Sequence, residues 1–171
     1  MNDTVFETER LSVRRWRDED VVDLIAVYGD ADAMKWVGDG QPISEEQCYR
    51  WLDVTRRNYV TRGYGMFAVE LRSSPEVIGF CGLVHPDGQA MAEVKYAYLR
   101  RYWGQGLATE VLRGLVSYAV TSHGLSHIIA TTAPENHASH AVLIKAGMRR
   151  GELRADEDGG FTQVFEYWKT L

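Results

Sequence analysis

Glu93-Val94-Lys95-Tyr96-Ala97-Tyr98-Leu99, then Arg101-Tyr102-Trp103-Gly104-Gln105-Gly106, then Leu107-Ala108-Thr109-Glu110 is the stretch that decides the fold. The first seven residues predict a strand. Beyond the turn, Leu107, Val111, Leu112, Leu115, Val116 and Ala119 fall on one stripe at helical spacing and predict a helix. Gly104 and Gly106 sit between the two, so backbone N–H groups can point outward with no Cβ in the way. The helix start adds the positive end of its dipole, which suits the turn to phosphate oxygens.

Spacing separates the phosphate-binding turns that share this outline. A P-loop ends in Gly-Lys-Ser/Thr, whereas Gly106 is followed by Leu107-Ala108. A dinucleotide turn has a third glycine where Thr109 stands. A tight strand-to-helix connection with no ligand is the remaining plain alternative. Trp103-Gly104-Gln105-Gly106-Leu107-Ala108 resembles the pyrophosphate loop of the GNAT N-acetyltransferases, Gln/Arg-x-x-Gly-x-Gly/Ala, with Trp103 departing at the first place. The longer string through Thr109-Glu110 resembles the subgroup that includes ribosomal-protein alanine and serine N-acetyltransferases.

Composition bounds the reading. The 171 residues are enough for one domain over residues 1–171, with a core that needs no staples. Hydrophobic residues make up 45% and charged residues 25%, ordinary for a globular protein. A net charge of −5 argues against general nucleic-acid binding and leaves no basic face for an anionic membrane. No apolar run reaches membrane-spanning length and the opening residues begin no signal peptide. Cys48 and Cys81 read as buried small hydrophobes. A cytoplasmic chain is expected.

Around the central unit the pattern continues. Leu11 to Trp16 alternates as a first strand, and Asp18 starts a helix through Val21, Leu24, Ile25 and Tyr28. The run at residues 38–42 breaks the chain. Ser44 to Gln47 is a capping box, opening a second helix through Cys48, Trp51, Leu52, Thr55 and Tyr59. Strands are predicted at 66–71 and 77–85, then at 128–132 beyond the central helix. A helix over 136–146 stops at Gly147, and two closing strands, 149–154 and 161–168, flank Asp158-Gly159-Gly160. The order β-α-α-β-β-β-α-β-α-β-β is the GNAT order. It implies an α+β, three-layer fold with a mixed, mostly antiparallel sheet of about seven strands and about four helices. The fourth and fifth predicted strands are parallel because a helix connects them; the resemblance implies that they splay apart around a pantetheine arm.

The resemblance implies acetyl-CoA as co-substrate and direct attack by an amine. A lysine amine is neutral only about once in 2,500 molecules at pH 7, an α-amine roughly once in six to eleven, so an α-amine tolerates a weaker or water-relayed base. Glu93, at the start of the fourth predicted strand, matches the family's general base; a solvated carboxylate or an ion pair with Lys95 is the alternative. Lys95 stands where the subgroup has glycine, Thr131 where a relative has a second base, and Leu143 where many relatives have a tyrosine acid. Ser139 is the substitute acid that the resemblance to the ribosomal-protein serine acetyltransferases implies, with a plain helix-surface serine as the alternative. Asn136 is either an N-cap or a contact to pantetheine. Cofactor contacts are expected from the backbones of Tyr96, Ala97 and Tyr98. The turn adds Gly104, Gln105, Gly106, Leu107, Ala108 and Thr109. Trp36 and Asp39 are expected to meet the acceptor, with the first two helices and the last hairpin.

The histidine pairs lack a carboxylate or cysteine cluster, so no metal is expected. The expected partners are acetyl-CoA and an amine acceptor, most naturally a protein α-amine. Small-molecule amines are one alternative and a non-catalytic acyl-CoA-binding module another. Neither nucleic acid nor a membrane is expected, and a homodimer stays open.

Overall fold

The computed structural model describes residues 3–35 and 40–170. The expected site residues Trp36 and Asp39 lie outside them. Among the described residues are eight strands and five α-helices, in the order β1 (Thr4–Glu7), β2 (Leu11–Arg15), α1 (Val21–Tyr28), α2 (Ala31–Met34), α3 (Glu45–Arg62), β3 (Met66–Leu71), β4 (Ser74–Val84), β5 (Ala92–Tyr98), α4 (Leu107–His123), β6 (His127–Thr132), α5 (His137–Lys145), β7 (Arg149–Ala155) and β8 (Phe161–Trp168). They form one mixed sheet ordered β1-β2-β3-β4-β5-β6-β8-β7. Only β5 and β6 pair in parallel; these are the fourth and fifth strands expected from the sequence, renumbered because β1 precedes them.

Two packed layers cover the sheet. Leu107, Val111, Leu112, Leu115, Val116 and Ala119 of α4 are all buried against one face. Leu24 and Val27 of α1 and Cys48 and Leu52 of α3 bury the other, with Phe80 between them. Alternation along each strand feeds both layers: Met66 and Ala68 face α1 and α3, while Phe67 and Val69 face α4.

The capping box forms as the spacing requires. Ser44 Oγ accepts from Gln47 N at 3.2 Å and Gln47 Oε1 accepts from Ser44 N at 2.9 Å. The expected Asp18 cap does not form. A short 3-10 turn, Asp18–Asp20, precedes α1, and Asp20 turns inward. There its carboxylate accepts two bonds of 2.8 Å from Arg14, whose Nε also bonds Glu70 at 2.7 Å.

β1 and α2 are additions to the expected elements. β1 lies across α4, and the helix accommodates it at Gly114, where an added Cβ would stand 2.6 Å from the Phe6 ring. A glycine in a helix interior costs about 1 kcal/mol relative to alanine, and here it makes room for a strand.

Candidate active site

β5 and β6 are paired only at Ala92–Ile128 and Glu93–Ile129. Beyond Glu93 they part, and the expected splay is present. Between them opens a cleft of about 1000 Å³ that runs from the glycine turn to the β7–β8 hairpin.

The open edge of β5 is set by ladder arithmetic. Leu99 N–H donates to the Ile78 carbonyl of β4 at 2.9 Å. Backbone direction alternates along an antiparallel ladder, so Ala97 and Lys95 also turn their amides to β4, and Tyr96 and Tyr98 turn theirs to the gap, while the Val94 amide on the same edge is taken by the last β5–β6 pairing, Glu93–Ile129. The expectation that Ala97 presents its amide to a ligand is therefore not met; its small side chain lines the cleft instead. Val94, absent from the sequence-based set, also lines the cleft. The Tyr98 carbonyl is already used, because Trp103 Nε1 donates to it at 2.9 Å. Trp103 thus ties the turn to β5 at the place where the family pattern has a glutamine or arginine.

At the turn, Gly104 (φ 74°) and Gly106 (φ 77°) both adopt the left-handed conformation, which a side chain disfavours. Gly106 is the N-cap of α4 and carries no side chain to cap it. The first-turn N–H groups of Leu107, Ala108 and Thr109 have no intrahelical acceptor and remain for oxygen atoms of a ligand. From behind, Arg10 Nη1 donates to the Gln105 carbonyl at 3.0 Å, and the Gln105 side chain donates to the Arg101 carbonyl at 3.1 Å. Arg10 Nε bonds Glu110 at 2.7 Å, and Thr8 Oγ1 donates to Glu110 at 2.5 Å. Burial would push the Glu110 carboxyl up, but the bonds from Thr8 and Arg10 outweigh it and hold it below the ordinary range.

On the far wall α5 begins at Asn136, whose Oδ1 accepts from Ser139 N at 3.3 Å. The N-cap role is thus filled, and the amide's NH₂ end is left to donate toward the cleft, which Asn136 lines. Ser139 Oγ lies 2.8 Å from Tyr96 Oη, so one hydroxyl pair bridges β5 and α5. Burial raises the Tyr96 phenol above its ordinary value, and the Ser139 bond partly offsets that. Leu143, in the family's acid position, is 1% exposed and lines the cleft as a hydrocarbon.

Glu93 lies on the opposite face of β5, 3% exposed, behind Lys95 and Thr131 of the cleft wall. Lys95 Nζ stands 2.5 Å from its Oε2, Thr131 Oγ1 donates to the same oxygen at 3.0 Å, and Gln89 Nε2 donates to Oε1 at 3.4 Å. The ion pair weighed from the sequence is therefore formed, and the structure brings Glu93 and Thr131 into one cluster. Glu135 is exposed and stands apart from it. At the other end of the cleft, Asp32 of α2 and Lys35 just after it line the wall together with Asp156 and Phe161 of the last hairpin. His140 is buried near by; burial first, then repulsion from Arg150 and His137, holds its imidazole below the ordinary value. Among the described residues no cluster of three or more His, Cys, Asp or Glu could hold a metal ion, and no helix is long and apolar enough to cross a membrane.

A glycine turn opening a helix, a splayed parallel pair and an open strand edge form the kind of cleft that the sequence resemblance implies for an acyl-CoA-dependent transferase. The model of the acetyltransferase (GNAT) domain matches residues 10–149, and the chain belongs to that family. Over 153 residues it is 30% identical to an uncharacterised N-acetyltransferase of Bacillus subtilis (strain 168), YoaA, covering 88% of this chain and 86% of that one. The structure of RimL, a ribosomal L7/L12 alpha-N-protein acetyltransferase in complex with coenzyme A, superposes with a TM-score of 0.79 at 16% identity over 98% of both chains. A spermidine N-acetyltransferase from Vibrio cholerae, in complex with CoA and spermine, gives 0.78 at 15% identity over 93% of this chain and 95% of that one. At such identities these two share the fold. The chain is an N-acetyltransferase.

Proposed function

We propose that this chain, working as one cytoplasmic acetyltransferase domain, moves an acetyl group from acetyl-CoA to a protein α-amine. The observation that carries the choice of acceptor is the setting of Glu93. Its carboxylate is shielded by Lys95 and reaches the cleft only through neighbours, and no second carboxylate stands at position 131. Such a base suits an amine that is already partly neutral at pH 7 and serves a lysine or polyamine amine poorly.

The residues divide the work. N–H groups of the 104–109 turn hold the pyrophosphate, and the gap-facing amides of Tyr96 and Tyr98 pair with the pantetheine arm as a neighbouring strand would. The amine nitrogen bonds to the thioester carbonyl carbon and gives a tetrahedral intermediate with its negative charge on oxygen. Thr131 passes the ammonium proton to Glu93. The carbon–sulfur bond then breaks without an acyl-enzyme, and Ser139 lies on the wall opposite Glu93, where the thiolate departs. Asp32 and Phe161 receive the acceptor, together with Trp36 and Asp39, the two residues singled out from the sequence in the Met34–Pro42 connection.

The test is thiol release from acetyl-CoA with peptides beginning Ala, Ser or Met, beside spermidine and free amino acids. Turnover on the peptides supports the reading. Turnover on small amines alone assigns the acceptor to the other class. No turnover with any amine, with CoA still bound, favours a binding module.

A further inference from the structure

We propose that Tyr96, rather than Ser139, is the acid that protonates the departing thiolate, and that Ser139 positions its phenol. This rests on the acetyl-CoA reading above. Two hydroxyl groups 2.8 Å apart share one hydrogen bond, so the second proton is left over on whichever oxygen accepts. The two arrangements are not equivalent. A phenol, with an ordinary pKa near 10, is a far stronger acid than an alkyl hydroxyl, so the proton that can leave is the phenol's. In the productive arrangement Ser139 donates to Tyr96 Oη, and Tyr96 O–H points into the cleft that both residues line. As the carbon–sulfur bond breaks, its electron pair goes to sulfur, the phenol proton follows, and the phenolate keeps the Ser139 hydrogen bond until solvent returns a proton.

Position supports the assignment. Tyr96 follows Glu93 by three along β5, so their side chains leave opposite faces of the sheet. Proton uptake at Glu93 and proton delivery at Tyr96 therefore lie on opposite faces of the sheet, and neither group can short-circuit the other. The position where many relatives carry a tyrosine acid is hydrocarbon here, Leu143. The other titratable groups around the pair are occupied. His140 Nε2 bonds Thr132 Oγ1 at 2.8 Å, Glu93 is held by Lys95, Glu110 of α4 is locked to Arg10, and the Tyr98 hydroxyl donates to the Leu107 carbonyl at 3.3 Å. His137 is exposed at the helix start and Lys145 stands at the far end of α5.

Ultraviolet thiolate absorbance of CoA bound to the full chain tests this without any acceptor. A hydrogen-bond donor aimed at sulfur favours the thiolate, so bound CoA should titrate about one pH unit lower in the wild type than in Tyr96→Phe, which removes only the hydroxyl. Ser139→Ala should give an intermediate value. Equal titration in wild type and Tyr96→Phe, with calorimetry showing CoA bound to both, overturns the role of Tyr96 and leaves the acetyl-CoA reading standing. A larger effect of Ser139→Ala than of Tyr96→Phe returns the acid role to Ser139. Failure of the wild type to bind CoA overturns both.

Discussion

Arg10 and Glu110, a hundred residues apart in sequence, close a bidentate clasp behind the phosphate turn: the Arg10 backbone N–H and Nε each donate to the Glu110 carboxylate, at 2.9 and 2.7 Å. The same guanidinium holds the Gln105 carbonyl. The β1–β2 corner thus serves as a back plate for the glycine turn, which we propose holds the cofactor.

Glu110→Ala should loosen that plate. Losing the bonds from Thr8 and Arg10 should cost about 1–3 kcal/mol in stability and weaken CoA binding several-fold, measured by denaturant melts and calorimetry. The pH dependence has a definite sign. The folded carboxyl lies below its unfolded value, so its contribution is complete above the unfolded pKa and is lost as pH falls through the folded one. The wild type should therefore lose more stability on acidification than Glu110→Ala does.

Gly104→Val and Gly106→Val each force a β-branched residue into left-handed backbone, worth about 1–3 kcal/mol of strain, and no neighbouring backbone crowds either position. Either the turn keeps its shape at that cost or it rearranges and withdraws its N–H groups. Calorimetric affinity for CoA should fall more than tenfold in both variants, with far-ultraviolet circular dichroism unchanged.

Glu93→Gln should lower kcat about 10²- to 10⁴-fold while leaving CoA affinity unchanged, since the carboxylate handles a proton and touches no part of the cofactor cradle. Thr131→Val keeps the shape and removes the hydroxyl that joins Glu93 to the cleft. Steady-state rates on the best peptide of the panel should place it between wild type and Glu93→Gln. Wild-type rates in both variants would remove Glu93 from the mechanism.

Arg14→Ala leaves Asp20, 2% exposed, without the guanidinium that neutralises it. Breaking a buried pair in this way costs about 3–5 kcal/mol, which a thermal melt should show as a large drop in Tm.

The fold was legible because its long elements carry strong local signals. The α4 stripe, the Ser44–Gln47 capping box and the Gly147 stop each depend on residues close in sequence, and all three appear in the structure. β1 has four residues and no buried alternation, so its only trace was Gly114, a helix glycine that makes sense once Phe6 is beside it. The glycine turn itself stood out for the same local reason. What spacing could not show was direction: that Ala97 turns its amide away, and that Arg14, read as the polar side of a strand, is buried against Asp20. These follow from which strand lies next door, and that is decided by the whole chain.

The two-residue contact between β5 and β6 also bears on how long the molecule survives in a cell. A gap at mid-sheet leaves peptide groups solvated that elsewhere in the sheet are protected, so the empty protein should breathe most readily there. An occupant that spans the gap adds about 2.7 kcal/mol at a hundredfold excess over its dissociation constant. The supply of activated acetyl groups would then govern not only how fast this catalyst works but how much of it escapes proteolysis.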